Sequence, residues 1–252
     1  MTVGGGQLAA QARCTRRDPD AYRECLRRFG FAIMEPVSGD QLSLEQIMAP
    51  LGEPVPYQFG TRLTMQERAG TENSQFRTGA IPMHADAILN ATDVSFIGME
   101  CLEAPIRGGE TLIARSEAFF DVAPAALVDE LRSIEIEYWS NVSGFYVADG
   151  AGNPVECPIR VDPVTGADTL YVGVSYPEDP DRNFGAAVVG YTAAESTALF
   201  ARMADLLNRP EVVYRHRWQV GQVLVLDNRR VLHARAAYSE QEPRKLERIS
   251  VA

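Results

Sequence analysis

The sequence predicts a mainly β fold with flanking helices, arranged as a double-sheet jelly roll. Three observations predict it. From Val94 onward the chain reads as short apolar segments broken by turn residues, the pattern of many strands. Helix-start signals are few, and they stand ahead of and within those strands. The 252 residues, 46% of them hydrophobic, suit one β unit with a substantial core, so residues 1–252 are read as a single domain.

The elements follow in order. Residues 1–17 are expected to be loosely ordered. Asp18-Pro19 opens a helix, with Asp as N-cap and Pro at the first helical position, and the helix stops before Gly30. A short strand, Phe31-Ala32-Ile33-Met34, follows. Ser43-Leu44-Glu45-Gln46 is a capping box that starts a second helix reaching about Leu51-Gly52. Residues 53–82 show no clear period and read as long loops, the kind of segment that forms lids and pocket walls. Helical stretches interrupt the later strands at about 115–132 and 192–208. The second begins with another capping box, Thr192-Ala193-Ala194-Glu195, and its Leu199, Met203, Leu206 and Leu207 form a core-facing stripe.

Composition excludes several functions. The net charge of −10 and pI near 4.9 repel phosphate backbones, so nucleic acid is not an expected partner. No apolar run approaches a membrane span, and the N-terminal residues lack an apolar signal core. Cys14, Cys25, Cys101 and Cys157 form no CxxC pair, and Cys101 reads as a small core hydrophobe. A reducing cytoplasm is the expected compartment. Self-association into a homo-oligomer is left open.

The chain has three histidines, and two of them stand in suggestive places. His84 and Asp86 lie in Ile81-Pro82-Met83-His84-Ala85-Asp86, and His233 closes Asn228-Arg229-Arg230-Val231-Leu232-His233. On a strand, residues i and i+2 point the same way, so His84 and Asp86 can reach one ion. Two histidines and a carboxylate on one face of an octahedral ion leave three positions open, which is the ligand set of non-haem Fe(II) oxygenases. The pair alone also fits a surface histidine beside a turn aspartate. His233 alone also fits a core histidine.

Four ordered segments decide between these. They are the His84–Asp86 stretch, Gly108-Gly109-Glu110-Thr111-Leu112, the middle run from Cys157-Pro158 through Pro163-Val164-Thr165-Gly166 to Leu170-Tyr171-Val172, and Trp218-Gln219-Val220-Gly221 running through Asp227-Asn228 and His233 to Arg244 and Arg248. Together they resemble the taurine dioxygenase-like (TauD/TfdA) family of Fe(II)/2-oxoglutarate-dependent dioxygenases, over residues 18 to 252. The resemblance implies a double-stranded β-helix. It implies Fe(II) on His84, Asp86 and His233, with 2-oxoglutarate and O2 as cosubstrates. It also implies that Thr111 and Arg244 receive the distal carboxylate of 2-oxoglutarate. An arginine fork suits bidentate carboxylate binding, and a threonine hydroxyl adds a donor. Arg248 is implied for the same cosubstrate or for an acidic group of the substrate. In halogenating relatives a small residue replaces the carboxylate, so Asp86 disfavours halogenation. Asn228 is expected beside the metal or in a turn, and His216, between Arg215 and Arg217, is expected to be exposed.

Family members place the segment before His-x-Asp against the substrate, which makes Tyr57, Asn73, Gln75 and Arg77 the candidate substrate contacts. The Ile81–Asp86 phrase is also similar to members acting on amino-acid-derived isonitriles. The implied reaction decarboxylates 2-oxoglutarate to succinate and CO2 and oxidises a C–H bond of a small natural-product or amino-acid-derived molecule. Hydroxylation is the expected outcome; desaturation, ring closure and epoxidation use the same ligands. Two other classes remain on the residues alone. One is a jelly-roll hydrolase or isomerase using Zn2+ or Mn2+ on the same triad, without need of Thr111 and Arg244. The other is a non-catalytic ligand-binding jelly roll.

Overall fold

The computed structural model describes residues 10–39, 42–57, 60–89, 93–142, 152–175 and 184–252. The chain opens with β1 (Arg13–Cys14), then α1 (Pro19–Phe29) and β2 (Phe31–Met34). The Asp18 carboxylate accepts from the Asp20 and Ala21 backbone N–H groups and caps α1 as its sequence predicts. Tyr22, Cys25, Leu26 and Phe29 give that helix one buried stripe. The part of the 1–17 stretch that is described is more ordered than expected. Ala12 and Arg16 are buried and β1 pairs in parallel with β2, while residues 1–9 lie outside the described set. A two-residue strand has no period to read, so sequence could not announce it.

Next come α2 (Leu44–Met48), extended by a 3-10 turn over Ala49–Leu51, then β3 (Arg62–Gln66), a 3-10 turn at Ser74–Phe76, and β4 (Ile81–His84). The 53–82 stretch is thus not all loop. β3 pairs with the last strand of the chain at a sheet edge, where only Leu63 is fully buried, so its alternation is too weak to see. The later elements are β5 (Phe96–Glu103), β6 (Thr111–Arg115), α3 (Ser116–Val122), α4 (Ala125–Ser133), β7 (Ile136–Ser140), β8 (Val155–Glu156), β9 (Ile159–Val161) and β10 (Asp168–Leu170). After them come β11 (Phe184–Val188), α5 (Ala193–Leu207), β12 (Val213–His216), β13 (Val223–Asp227), β14 (Val231–Arg235) and β15 (Lys245–Val251). The helical stretch read near 115–132 is two helices, broken at Ala123-Pro124. The Pro-x-Thr-Gly run turns between β9 and β10, which pair antiparallel.

Two sheets carry the site. The larger has the order β1-β2-β13-β5-β15-β3, and the smaller β12-β6-β14-β4. A bridge from His84 to Gly173 extends the smaller sheet. The inner face of the smaller sheet looks at the larger one: Ile113 and Val231 share a buried cluster with Ile33, Met99, Leu224 and Leu246. Its outer face turns Leu112, Ala114, Leu232 and Ala234 into a second core with Phe119, Leu199 and Met203 of the helices. The central strands β6 and β14 of the smaller sheet are therefore apolar on both faces, except where inner positions carry Thr111, Arg115, His233 and Arg235. On the far side of the larger sheet, α2 packs so closely that a Cβ on Gly98 would lie 2.4 Å from Met48 Sδ.

Candidate active site

His233 and His84 stand directly opposite each other on β14 and β4. Their rings lie 4.3 Å apart between centroids. The period of two continues past the end of β4: Met83 and Ala85 enter the outer core, and His84 and Asp86 line the cavity between the sheets. Asp86 Oδ1 lies 3.5 Å from His84 Nε2 and 3.8 Å from His233 Nε2. The donor atoms of all three residues fall within 4.8 Å of one another, and among the described residues this is the one such group able to hold a metal ion.

The donor chemistry fits Fe(II). His84 Nδ1 lies 2.8 Å from the Pro82 carbonyl, which can only accept, so Nδ1 carries the proton and Nε2 keeps its lone pair for a metal. Burial pushes the His233 imidazole down to about 3, and the neighbouring His84 adds to this, so His233 is neutral and ready to ligate. Burial would raise the Asp86 carboxyl, but the Arg248 guanidinium and the two histidines more than reverse it and hold Asp86 well below the usual carboxylate range.

Asp86 is held from two sides. The Asn228 side chain accepts from Asp86 N at 2.8 Å and donates to Asp86 O at 3.2 Å and Val94 O at 2.9 Å. From the larger sheet, Arg248 Nη2 donates to Asp86 Oδ2, to the Tyr57 hydroxyl at 3.0 Å and to Ser250 Oγ at 3.2 Å. Further along the cavity, Arg244 is buried and its Nε donates to the Gly109 carbonyl at 3.0 Å. A Cβ at Gly109 would come within 2.9 Å of Arg244 Cδ, and its φ of 68° also favours glycine. Thr111, at the start of β6, lines the same cavity, and its Oγ1 accepts from the Trp218 indole at 3.1 Å.

The family model for the taurine catabolism dioxygenase TauD, TfdA family matches residues 3–250. The chain belongs to this family. As a TauD/TfdA member it is an Fe(II)- and 2-oxoglutarate-dependent dioxygenase acting on a small molecule. Its relatives include a tyrosine isonitrile desaturase from Pseudomonas aeruginosa, 27% identical over 229 residues, covering 84% of this chain and 73% of the relative. A 2,4-dichlorophenoxyacetate dioxygenase from Cupriavidus pinatubonensis is 28% identical over 176 residues, covering 66% of this chain and 58% of that enzyme. The crystal structure of the PvcB protein from Pseudomonas aeruginosa shares the fold, with a TM-score of 0.71 at 21% identity over 93% of this chain and 80% of that one.

The fold of this TauD/TfdA member brings most of the sequence-read residues together. His84, Asp86, His233, Thr111, Arg244, Arg248, Tyr57 and Gln75 all line one cavity. Asn73 and Arg77 do not. Asn73 Oδ1 instead accepts from Gln75 N at 2.9 Å and caps the 3-10 turn. His216 is buried, not exposed. Arg215 points outward and the period of two turns His216 inward, edge-on to Trp218 at 4.5 Å. Two residues went unread. Arg235 donates to the carbonyls of Ser74 at 2.9 Å and Gln75 at 3.2 Å, anchoring the pocket-wall turn to β14. Trp218 buttresses Thr111. The usable signal for Arg235 was its position two residues after His233, on the same strand face.

Proposed function

We propose that this chain oxidises an unactivated C–H bond of a small, amino-acid-derived intermediate. It does so as one catalytic domain over residues 1–252 with a double-stranded β-helix at its centre. The observation that carries the reading is the convergence of His84, Asp86 and His233 with Thr111 and Arg244 in a single cavity. The three ligands hold Fe(II), which supplies the oxidising chemistry when 2-oxoglutarate and O2 are bound. Arg244 receives the distal carboxylate of 2-oxoglutarate through its guanidinium fork, and Thr111 adds a hydroxyl donor. The place of Arg248 on Asp86 favours a role beside the metal over one at that distal carboxylate.

Substrate takes the remaining wall. Met65, Ile81, Ile88, Leu89 and Phe184 offer it an apolar, water-excluding surface, with Tyr57 and Gln75 as polar contacts. Asn73 and Arg77 act on substrate only through the turn that carries Gln75. An aromatic amino acid bearing an isonitrile fits such a wall, and the tyrosine isonitrile desaturase relative supports this class. Hydroxylation is the default outcome; desaturation would use the same residues with a different C–H bond presented. No described helix is long and apolar enough to cross a membrane, and all four cysteines are free, in keeping with a reducing cytoplasm.

The test is anaerobic loading with Fe(II) and 2-oxoglutarate, followed by O2 and tyrosine isonitrile. A weak visible charge-transfer band on loading, and succinate released in step with a product lacking two hydrogens or gaining one oxygen, are the expected results. Metal binding without that band would overturn the oxygenase reading. The band without turnover of any amino-acid isonitrile would overturn the substrate class alone.

A further inference from the structure

The contact between Trp218 and Thr111 has a fixed direction. An indole N–H only donates, so Thr111 Oγ1 is the acceptor in the 3.1 Å bond. That bond occupies one lone pair of the hydroxyl and turns its proton away from the indole. Both residues are buried, at 4% and 3% exposure, so the bond between them is shielded from bulk solvent. No described residue accepts the Thr111 hydroxyl proton. In the same cavity, Arg244 has its Nε committed to the Gly109 carbonyl, and no described residue accepts from its terminal amines. The indole is itself braced: His216 meets it edge-on at 85°, and β12 sets His216 opposite Thr111 on β6.

We propose that Trp218 is a positioning residue for the cosubstrate: by donating to Thr111 Oγ1 it aims the Thr111 hydroxyl proton at the carboxylate that Arg244 receives. The inference rests on the reading of Thr111 and Arg244 as the distal-carboxylate site. Any acceptor would satisfy a buried indole. The acceptor here is the hydroxyl of a residue that lines the cavity, which couples the tryptophan to ligand binding. A 2-oxo acid that ends in a methyl group presents nothing to that proton, and Trp218 should be indifferent to it.

The experiment measures dissociation constants on the anaerobic Fe(II) enzyme, read from the charge-transfer band, for 2-oxoglutarate and for 2-oxopentanoate. Trp218→Phe keeps the ring and removes the N–H. It should weaken 2-oxoglutarate roughly three- to tenfold, the scale of one hydrogen bond, and leave 2-oxopentanoate unchanged. In a Thr111→Val background, Trp218→Phe should add nothing. Equal weakening of both acids, or no weakening of either while Thr111→Val does weaken 2-oxoglutarate, overturns the positioning role. Unchanged 2-oxoglutarate binding in both Thr111→Val and Arg244→Ala overturns the underlying site instead. A second readout needs no variant. The chain has two tryptophans, Trp139 and Trp218, so the Trp218 indole N–H gives one of two side-chain signals in 15N-labelled protein. Loaded with Zn(II), the protein should shift that signal with 2-oxoglutarate and not with 2-oxopentanoate. A signal unmoved by 2-oxoglutarate overturns the proposal.

Discussion

The Asn228 carboxamide clamps the peptide of Asp86, accepting from its N–H at 2.8 Å and donating to its carbonyl at 3.2 Å. Asp86 lies just beyond β4, and the next residue, Ala87, has a φ of 66°, a conformation most side chains avoid. A turn of this kind needs an outside restraint to hold a ligand still. Asn228→Ala strands the buried N–H of Asp86 and removes the donor to two carbonyls. It should cost about 2–3 kcal/mol in denaturant unfolding and weaken Fe(II) binding roughly ten- to a hundredfold in anaerobic titration. Unchanged iron affinity would show that the clamp serves the fold alone.

His84→Ala and His233→Ala should each abolish the charge-transfer band and turnover, since two donors cannot hold a facial site. Asp86→Ala should do the same and also destabilise the metal-free protein. It leaves the Arg248 guanidinium buried without its carboxylate, a loss of about 3–5 kcal/mol. Adding Arg248→Met should return part of that stability without restoring iron binding. If the double variant is no more stable than Asp86→Ala, the pair is not what holds this region.

Arg244→Ala should raise the 2-oxoglutarate KM by roughly ten- to a hundredfold, the weight of a charge-assisted bond, with a smaller rise for Thr111→Val. Steady-state kinetics at saturating substrate checks this. An effect on substrate KM alone would mean that the arginines have exchanged roles.

Acid should expose His216. Burial pushes its imidazole down to about 4 from the usual 6.5, with the Arg13 charge adding to this. The unfolded chain therefore binds the proton first. The neutral histidine contributes its full stability above about pH 6.5 and loses it as pH falls toward 4. Relative to His216→Phe, the wild type should lose about 3 kcal/mol across that window, at roughly 1.4 kcal/mol per pH unit. Parallel stability curves for the two proteins would mean that His216 is solvated.

Gln75→Leu should change kcat/KM for the true substrate, because this side chain lines the cavity and its Oε1 is buried without a partner. Arg77→Ala should not, as Arg77 does not line the cavity. The reverse pattern would place substrate on the other side of the 3-10 turn.

That His84 and Asp86 could share one face was legible locally, from a spacing of two, while His233 joined them through the resemblance. The caps at Asp18, Ser43 and Thr192 were legible for the same reason, each side chain bonding a backbone group within three residues. Thr111 and Arg244 came from the resemblance, since no spacing joins a residue of β6 to one just ahead of β15. What stayed hidden depends on pairing across the chain. β3 exists because β15 accepts it at an edge, and His216 is buried because β6 and Trp218 lie against it. Two flanking arginines read as a solvated stretch until alternation on a strand separates them from the residue between.

The facing pair of His84 and His233 has a consequence for the life of the protein before it is an enzyme. The two histidines meet only when β14 docks beside β4, and the strands from β5 to β13 are synthesised between them. A nascent chain exposes His84 and Asp86 long before their third companion exists, and a pair alone grips iron weakly. Competence to hold iron needs all three ligands, and so waits for the strand that carries His233, late in the order of synthesis.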